Sequence, residues 1–150
     1  MAEPYYFEDF AVGQSFSSAP RSVSAAEIVA FAREFDPQPM HVDAEAAAAL
    51  FGGLIASGWH TAALTMRLMI AEAMPPLAPG ALGLGVERLN WPEPVRPGDR
   101  LSTEAVILAA RPSRSHPDRG LVTVVTTTRN QKGRVVLEMT STILVPRRAA

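Results

Sequence analysis

Residues 59–74, WHTAALTMRLMIAEAM, form the most hydrophobic helical stretch of the chain. Apolar side chains fall in nearly every direction around this predicted helix, and a helix that is apolar all round is buried on most sides. At about 16 residues the helix is roughly 24 Å long, and Pro75 and Pro76 end it. Another part of the chain must therefore cover it.

The second half of the chain predicts that cover, because it contains four strand-like segments. They are rich in Val, Leu, Ile and Thr and span approximately residues 81–91, 101–110, 121–129 and 134–145. Residues 130–133, Asn-Gln-Lys-Gly, have the composition of a hairpin turn. Helices first and hairpin strands afterwards predict an α+β fold with an antiparallel sheet wrapped around the central helix. One domain, residues 1–150, is expected at this length.

Two shorter helices are predicted before the central one. The first begins at a capping box in residues 24–27 and ends at Asp36. Asp43 is positioned to cap the second, an alanine-rich helix that reaches Leu50. The segment between the two helices is therefore short, and its composition is unusual.

Residues 35–43, FDPQPMHVD, bring a carboxylate, an imidazole and two prolines close together. Pro37 and Pro39 each keep the preceding residue out of the α region, so the chain must turn. In an unbroken helix Asp36 and His41 would point about 140° apart, whereas a turn can aim both at one point. Such a pair suits acid–base chemistry near neutral pH. The alternative is a plain helix exit with a histidine on the surface.

Composition excludes several classes of function. A formal net charge of −1 gives no field that would attract nucleic acid or anionic lipid. The chain has no cysteines, which excludes thiol chemistry and cysteine metal sites. The histidines and acids lack the spacing of metal ligands. No signal peptide or membrane-spanning stretch is recognisable, so a cytoplasmic protein without membrane or nucleic-acid partners is expected.

These motifs resemble a known family. The pattern Asp36-x-x-Pro39-x-His41-x-Asp43 looks like the hydratase signature of the MaoC-like dehydratases, the (R)-specific enoyl-CoA hydratases. Residues 55–58, Ile-Ala-Ser-Gly, resemble the segment that enters the central helix of that family. The resemblance implies the hot-dog fold, a sheet wrapped around a long helix, which agrees with the order of helices and strands.

The same resemblance implies a hydro-lyase that adds water reversibly to a 2-enoyl thioester. Asp36 and His41 are then the catalytic pair, with His41 as the principal base and Asp36 orienting the water and serving as a second acid or base. Gly58 is the candidate oxyanion donor, since it lies where a helix begins and backbone N–H groups favour negative charge. The implied substrate is an acyl-CoA or acyl-carrier-protein thioester, with no cofactor and no metal. A homodimer is also implied.

Two residues depart from the family pattern and keep alternatives open. Gln38 stands where the signature usually has Asn, and Met66 stands where hydratases of this type often have Ser. The alternatives are a hot-dog acyl-CoA thioesterase and a non-catalytic subunit that binds acyl thioesters. His60, on the central helix, is expected to be a satisfied core histidine. A loop near residues 111–120 is either solvated or contacts CoA phosphates through its arginines, Arg111, Arg114 and Arg119.

Overall fold

A six-stranded antiparallel sheet forms the body of the protein. The computed structural model describes residues 2–149. The spatial order of the strands is β1-β4-β5-β6-β3, with β2 paired to β4. The four long strands predicted from the sequence are confirmed, and their ends move by no more than two residues. The strands are β1 Ser15–Ser17, β2 Arg21–Ser22, β3 Leu82–Asn90, β4 Arg100–Pro112, β5 Arg119–Arg129 and β6 Val135–Pro146.

The helices lie between β2 and β3 in the chain. They are α1 Ala25–Phe35, α2 Pro39–Val42, α3 Ala44–Phe51 and α4 Gly58–Leu68, and a π-helical turn, Met69–Ala73, continues α4. A short 3-10 helix, Phe7–Asp9, precedes the sheet. Ser24 caps α1 by accepting from the backbone N–H of Glu27 at 3.1 Å, as the sequence predicts. Among residues 2–149, no helix combines the length and hydropathy needed to cross a bilayer.

The segment between α1 and α3 differs from the simple turn predicted for it. It contains the four-residue helix α2, because Pro39 occupies the first helical turn, where its fixed φ and missing N–H are tolerated. Asp43 then ends α2 and caps α3, accepting from the backbone N–H groups of Glu45 and Ala46. The two prolines therefore redirect the chain through a tight helical corner instead of an irregular loop.

The sheet wraps around α4, which gives the hot-dog fold. Leu64 and Leu68 of α4 belong to one buried cluster with Leu101 of β4 and Val136 of β6. Threonine hydroxyls tie the same helix to the sheet, because Thr65 and Thr103 each lie 2.7 Å from the Thr128 Oγ1 through their own Oγ1 atoms. These buried polar groups are satisfied by one another, which fixes the position of α4 against the strands.

The prediction that the central helix is buried on most sides is wrong for the single chain. Trp59, Met66 and Ile70 have 59%, 48% and 53% of their surface exposed. The physical reason is that one sheet can cover only one side of a helix. The opposite side of α4 and its π-helical extension faces a groove bounded by the edge strand β3.

Candidate active site

The corner between α1 and α2 brings the two predicted catalytic residues together. Asp36 leaves the helical conformation at the end of α1, with φ −154° and ψ 70°. His41 lies on α2, and its Nε2 is 3.4 Å from Asp36 Oδ2. The two groups therefore face each other, as the proline-containing sequence predicts.

The imidazole of His41 is held in one orientation by the backbone. Its Nδ1 is 2.7 Å from the carbonyl oxygen of Ile55, in the segment that leads into α4. A carbonyl oxygen only accepts hydrogen bonds, so Nδ1 carries the hydrogen. In the neutral ring, Nε2 is then an acceptor and directs its lone pair towards Asp36. Two acceptors that face each other at this distance can share the two hydrogens of one water molecule.

Two donors surround the carboxylate of Asp36. The Ser57 hydroxyl donates to Oδ2 at 2.6 Å, and the Gln38 side-chain amide donates to Oδ1 at 2.7 Å. These hydrogen bonds, that of Ser57 above all, hold the pKa of Asp36 below its usual value of 3.8. The carboxyl group is therefore ionised at neutral pH. The glutamine that departs from the family pattern still reaches Asp36.

Ser57 is the site residue that the sequence analysis missed. Its sequence position suggests only a helix cap, and its hydroxyl does accept from the backbone N–H of Trp59 at 3.2 Å. The side chain is fully buried, and the same hydroxyl donates to Asp36, 21 residues earlier in the chain. The adjacent Gly58 was the available signal, but the contact with Asp36 depends on how α1 packs beside α4.

Gly58 begins α4 and lines the same cavity as His41, a space of about 350 Å³. Among residues 2–149, no acceptor forms a hydrogen bond with its backbone N–H. The ring of Trp91 packs directly on Gly58, and a Cβ atom there would be 2.6 Å from Trp91 Cε2. Only glycine therefore fits beneath this ring. The other walls of the cavity are mostly apolar: Phe51, Ile55, Ala56, Pro94 and Val95.

The remaining candidates lie elsewhere. His116 and Arg114 are exposed in the connection between β4 and β5, whereas Arg111 lies near the end of β4 and the half-buried Arg119 begins β5. His60 is buried in the core as predicted, but no group among residues 2–149 forms a hydrogen bond with its Nδ1, so the expectation that it is satisfied is wrong. Within residues 2–149, no group of three or more histidines and acids has the arrangement of a metal site.

Comparison with known proteins adds independent information. Residues 9–130 match the family model described as MaoC like domain. A crystal structure of the MaoC-like dehydratase from Rhodospirillum rubrum is 54% identical, with a TM-score of 0.91, and the alignment covers 97% of this chain and 99% of that one.

Two curated sequences are also similar over nearly their whole length. The uncharacterized protein YdeM of Bacillus subtilis is 38% identical over 93% of this chain and 98% of its own. The (R)-specific enoyl-CoA hydratase of Rhodospirillum rubrum is 30% identical over 96% of this chain and 94% of its own.

Proposed function

Because the chain belongs to the MaoC-like dehydratase family, we propose that it is a hydro-lyase acting on a 2-enoyl thioester. The reaction is the reversible addition of water to the C2–C3 double bond, which gives a 3-hydroxyacyl thioester. By analogy with the curated hydratase relative, the product is the (R) enantiomer. The observation that carries the proposal is the 3.4 Å approach of His41 Nε2 to Asp36 Oδ2, with His41 and Gly58 lining one largely apolar cavity.

His41 is the proposed general base. A water molecule that lies to one side of the pair and bridges both groups donates one hydrogen to Nε2 of His41 and the other to Oδ2 of Asp36. As the water oxygen bonds to C3, His41 takes its proton, and the C2–C3 π electrons move to the thioester as an enolate. The imidazolium then returns a proton to C2, so the ring ends the cycle neutral.

Asp36 and Gly58 are proposed to handle charge. Asp36 is held ionised by its two donors. As a carboxylate it has no proton to supply, so its proposed roles are to orient the water and to stabilise the imidazolium. The free N–H of Gly58 at the start of α4 is the proposed donor to the enolate oxygen. One donor of this kind contributes about 2.7–4 kcal/mol in enzymes where it has been removed.

The alternatives are not favoured. A thioesterase needs water directed at the carbonyl carbon, and the one reported curated relative with a described activity is named as a hydratase. The non-catalytic alternative rests on Gln38, but the Gln38 amide donates to Asp36 at 2.7 Å. The residue that raised this alternative therefore supports the same carboxylate orientation that hydration needs.

We test the reaction with a panel of 2-enoyl-CoA substrates. Hydration lowers the enoyl absorbance without releasing thiol, whereas a thioesterase releases free CoA, which a thiol reagent detects. Asp36→Asn is assayed beside the wild type and should lower kcat/KM by about 10²–10⁴-fold. His116→Ala, in an exposed loop, is the control and should retain wild-type activity. Thiol release at a rate above that of hydration would overturn the proposal.

We further propose a homodimer formed through β3. This nine-residue strand is an edge of the sheet, and Leu82, Leu84 and Val86 have 60%, 54% and 52% of their surface exposed. A long apolar edge is a template for pairing with another strand. A groove of about 460 Å³ lies beside it and includes Met66 and Ile70 of the central helix. A second copy would pair along β3 and cover both features.

Light scattering tests the homodimer. Leu84→Lys places a charge on the edge strand and should convert the dimer to a monomer. Leu108→Lys is the matched control, because Leu108 is similarly exposed, at 55%, but lies on the interior strand β4. A wild-type protein that is monomeric at micromolar concentration would contradict this part of the proposal.

A further inference from the structure

A second cavity, of about 330 Å³, adjoins the candidate active site. Glu93 and Pro94 line both this cavity and the cavity beside His41. The segment 93–96 is therefore the wall that separates the two spaces. We name the second cavity the basic cleft, defined by its three cationic side chains, Arg96, Lys132 and Arg134.

The acidic groups of the basic cleft are already engaged. Glu93 pairs with Arg134 at 3.3 Å. Asp99 accepts from the backbone N–H of Arg96 and from the Gln131 amide, both at 2.9 Å. Within residues 2–149, neither Arg96 nor Lys132 has an acidic side chain within 4.0 Å. The lining therefore carries three cationic and two anionic side chains, a formal excess of one positive charge, in a chain whose formal net charge is −1.

Arg96 connects the basic cleft to the candidate active site. Its Nη2 donates to the carbonyl oxygen of Phe51 at 2.6 Å, and Phe51 lines the cavity beside His41. One hydrogen bond holds the guanidinium at the boundary and leaves its other N–H donors available. A guanidinium fixed in this way is suited to bidentate binding of a phosphate, and a nearby lysine adds a point charge.

We propose that the basic cleft binds the phosphate groups of the thioester carrier while the acyl end occupies the cavity beside His41. This inference rests on the proposed hydratase function. The ligand is a phosphorylated pantetheine, whose long arm separates the phosphate from the thioester. Coenzyme A and the prosthetic arm of an acyl-carrier protein share that chemistry, and the positive charge would also raise the local concentration of either one.

The arginines that the sequence suggested for this role lie at the other end of the sheet. Strand β4 has 13 residues and is about 40 Å long. Its first residue, Arg100, contacts Gln131 at the basic cleft through a 2.9 Å hydrogen bond. The loop that carries Arg114 follows the last residue of the same strand. Within one chain, Arg114 is therefore remote from the cavity beside His41, and it serves as a matched control.

The test is a kinetic comparison of three substrates: crotonyl-CoA, crotonyl-phosphopantetheine, which lacks the 3′-phosphorylated adenylate, and crotonyl-pantetheine, which has no phosphate. The variant is Lys132→Ala combined with Arg134→Ala, with Arg96 kept because it holds Phe51. KM for crotonyl-CoA should rise roughly tenfold, with kcat within about twofold because the reacting atoms are untouched. KM for crotonyl-pantetheine should not change, and Arg114→Ala should leave all three values at wild type.

The two phosphorylated substrates identify the source of the phosphate. An equal rise in KM for both assigns the cleft to the phosphate next to pantetheine, which a carrier protein also has. A rise for crotonyl-CoA alone assigns it to the nucleotide phosphates. An unchanged KM for crotonyl-CoA, or an equal rise for crotonyl-pantetheine, overturns the inference while leaving the hydratase function intact.

Calorimetry with CoA separates the inference from the proposed function. If the wild type does not hydrate any enoyl thioester, the hydratase function fails, but CoA binding still reports on the cleft. Binding by the wild type that weakens in the Lys132 and Arg134 variant supports the cleft even then. Binding that is absent, or equal in both proteins, overturns it.

Discussion

One histidine of α2, His41, and one of the central helix α4, His60, are buried to the same extent, each with 6% of its surface exposed. His41 has its Nδ1 bonded to the Ile55 carbonyl and its Nε2 facing Asp36, and it lines a cavity. His60 stacks on the ring of Phe31, with ring centroids 4.7 Å apart, and its Nδ1 has no hydrogen-bond partner in the part of the chain that the structure describes. Burial alone therefore does not distinguish the histidine proposed as the base from a histidine packed in the core.

The difference lies in how the surrounding groups treat charge. Beside His41 an ionised carboxylate is held by two donors, so an imidazolium formed during a reaction has a counter-charge. At His60, burial lowers the pKa of the ring below its usual 6.5, and the nearby Glu27 only partly opposes this effect. The surroundings of His41 can therefore stabilise an imidazolium, whereas those of His60 favour the neutral ring.

The largest expected effect is the loss of activity in His41→Ala. Removing the proposed base should lower kcat/KM for a 2-enoyl-CoA by about 10²–10⁴-fold. The comparison variant His60→Leu should keep kcat within about twofold, because His60 does not face the reacting atoms. Steady-state kinetics on both proteins checks this, with circular dichroism to verify folding. If the two variants lose activity equally, the distinction between the two histidines is wrong.

A second large effect is expected at Gly58, which packs against the ring of Trp91 in the cavity wall. Gly58→Ala would bring a Cβ to 2.6 Å from Trp91 Cε2, so the indole must move, and overpacking of this kind costs about 1–3 kcal/mol. We expect lower kcat/KM and a lower melting temperature.

Combining Gly58→Ala with Trp91→Leu makes room for the methyl group. The backbone N–H is unchanged, so the double variant should recover activity relative to Gly58→Ala alone. Failure of this rescue, with the melting temperature restored, would mean that the methyl group itself blocks the substrate. The loss of activity in Gly58→Ala would then come from the methyl group in the substrate space and not from displacement of Trp91.

The sequence predicts the meeting of Asp36 and His41 because the cause is local. Pro37 and Pro39 restrict the backbone of their own neighbours, and five residues are enough to turn the chain. The strands are predictable for the same reason, since β-propensity and turn residues act over short distances. The sequence analysis predicted a turn and missed the helix α2, although Pro39 is a residue type that is favoured at the first position of a helix.

What the sequence could not supply depends on distant parts of the chain. Ser57 donates to Asp36 across 21 residues, and no local pattern encodes that contact. The exposed side of α4 was wrongly predicted to be buried. An apolar pattern indicates that a helix surface is covered, but it does not show whether the same chain or a second copy covers it. The basic cleft likewise combines Arg96 with Lys132, which the fold brings to one cavity.

A smaller effect tests the charge environment of Asp36. Its pKa in the folded state is below 3.8, so the carboxylate stabilises the fold above that pH and loses this contribution as the pH falls through the folded-state value. Ser57 is the main cause, and Gln38 is the second. Ser57→Ala should therefore reduce the pH-dependent part of stability more than Gln38→Ala does.

Urea unfolding at pH 7 and at the lowest pH at which the protein remains folded measures this effect, with Asp36→Asn completing a double-mutant cycle for each partner. The cycle is needed because Ser57→Ala also removes the cap of α4, a pH-independent loss of about 1 kcal/mol. The coupling of Ser57 with Asp36 should be present at pH 7 and smaller at the lower pH. A coupling that is equal at both pH values would contradict the assignment of an ionised carboxylate.

The smallest effect belongs to His60, and it has its own pH window. Because burial lowers its folded-state pKa, the unfolded chain binds the proton more readily, and stability falls as the pH drops below 6.5. His60→Leu removes this penalty. At pH 8 it should change the free energy of unfolding by less than about 1 kcal/mol, since the lost stacking on Phe31 is offset by removal of an unpartnered buried nitrogen.

At pH 5 the same variant should gain stability relative to the wild type, as measured by urea unfolding at both pH values. Asp36 and His60 then destabilise the fold in separate ranges, one below pH 3.8 and the other starting at pH 6.5. A His60→Leu protein whose stability difference from the wild type is the same at pH 8 and pH 5 would show that Glu27 compensates the buried imidazolium. In that case the two histidines would resemble each other electrostatically, and only the cavity beside His41 would separate them.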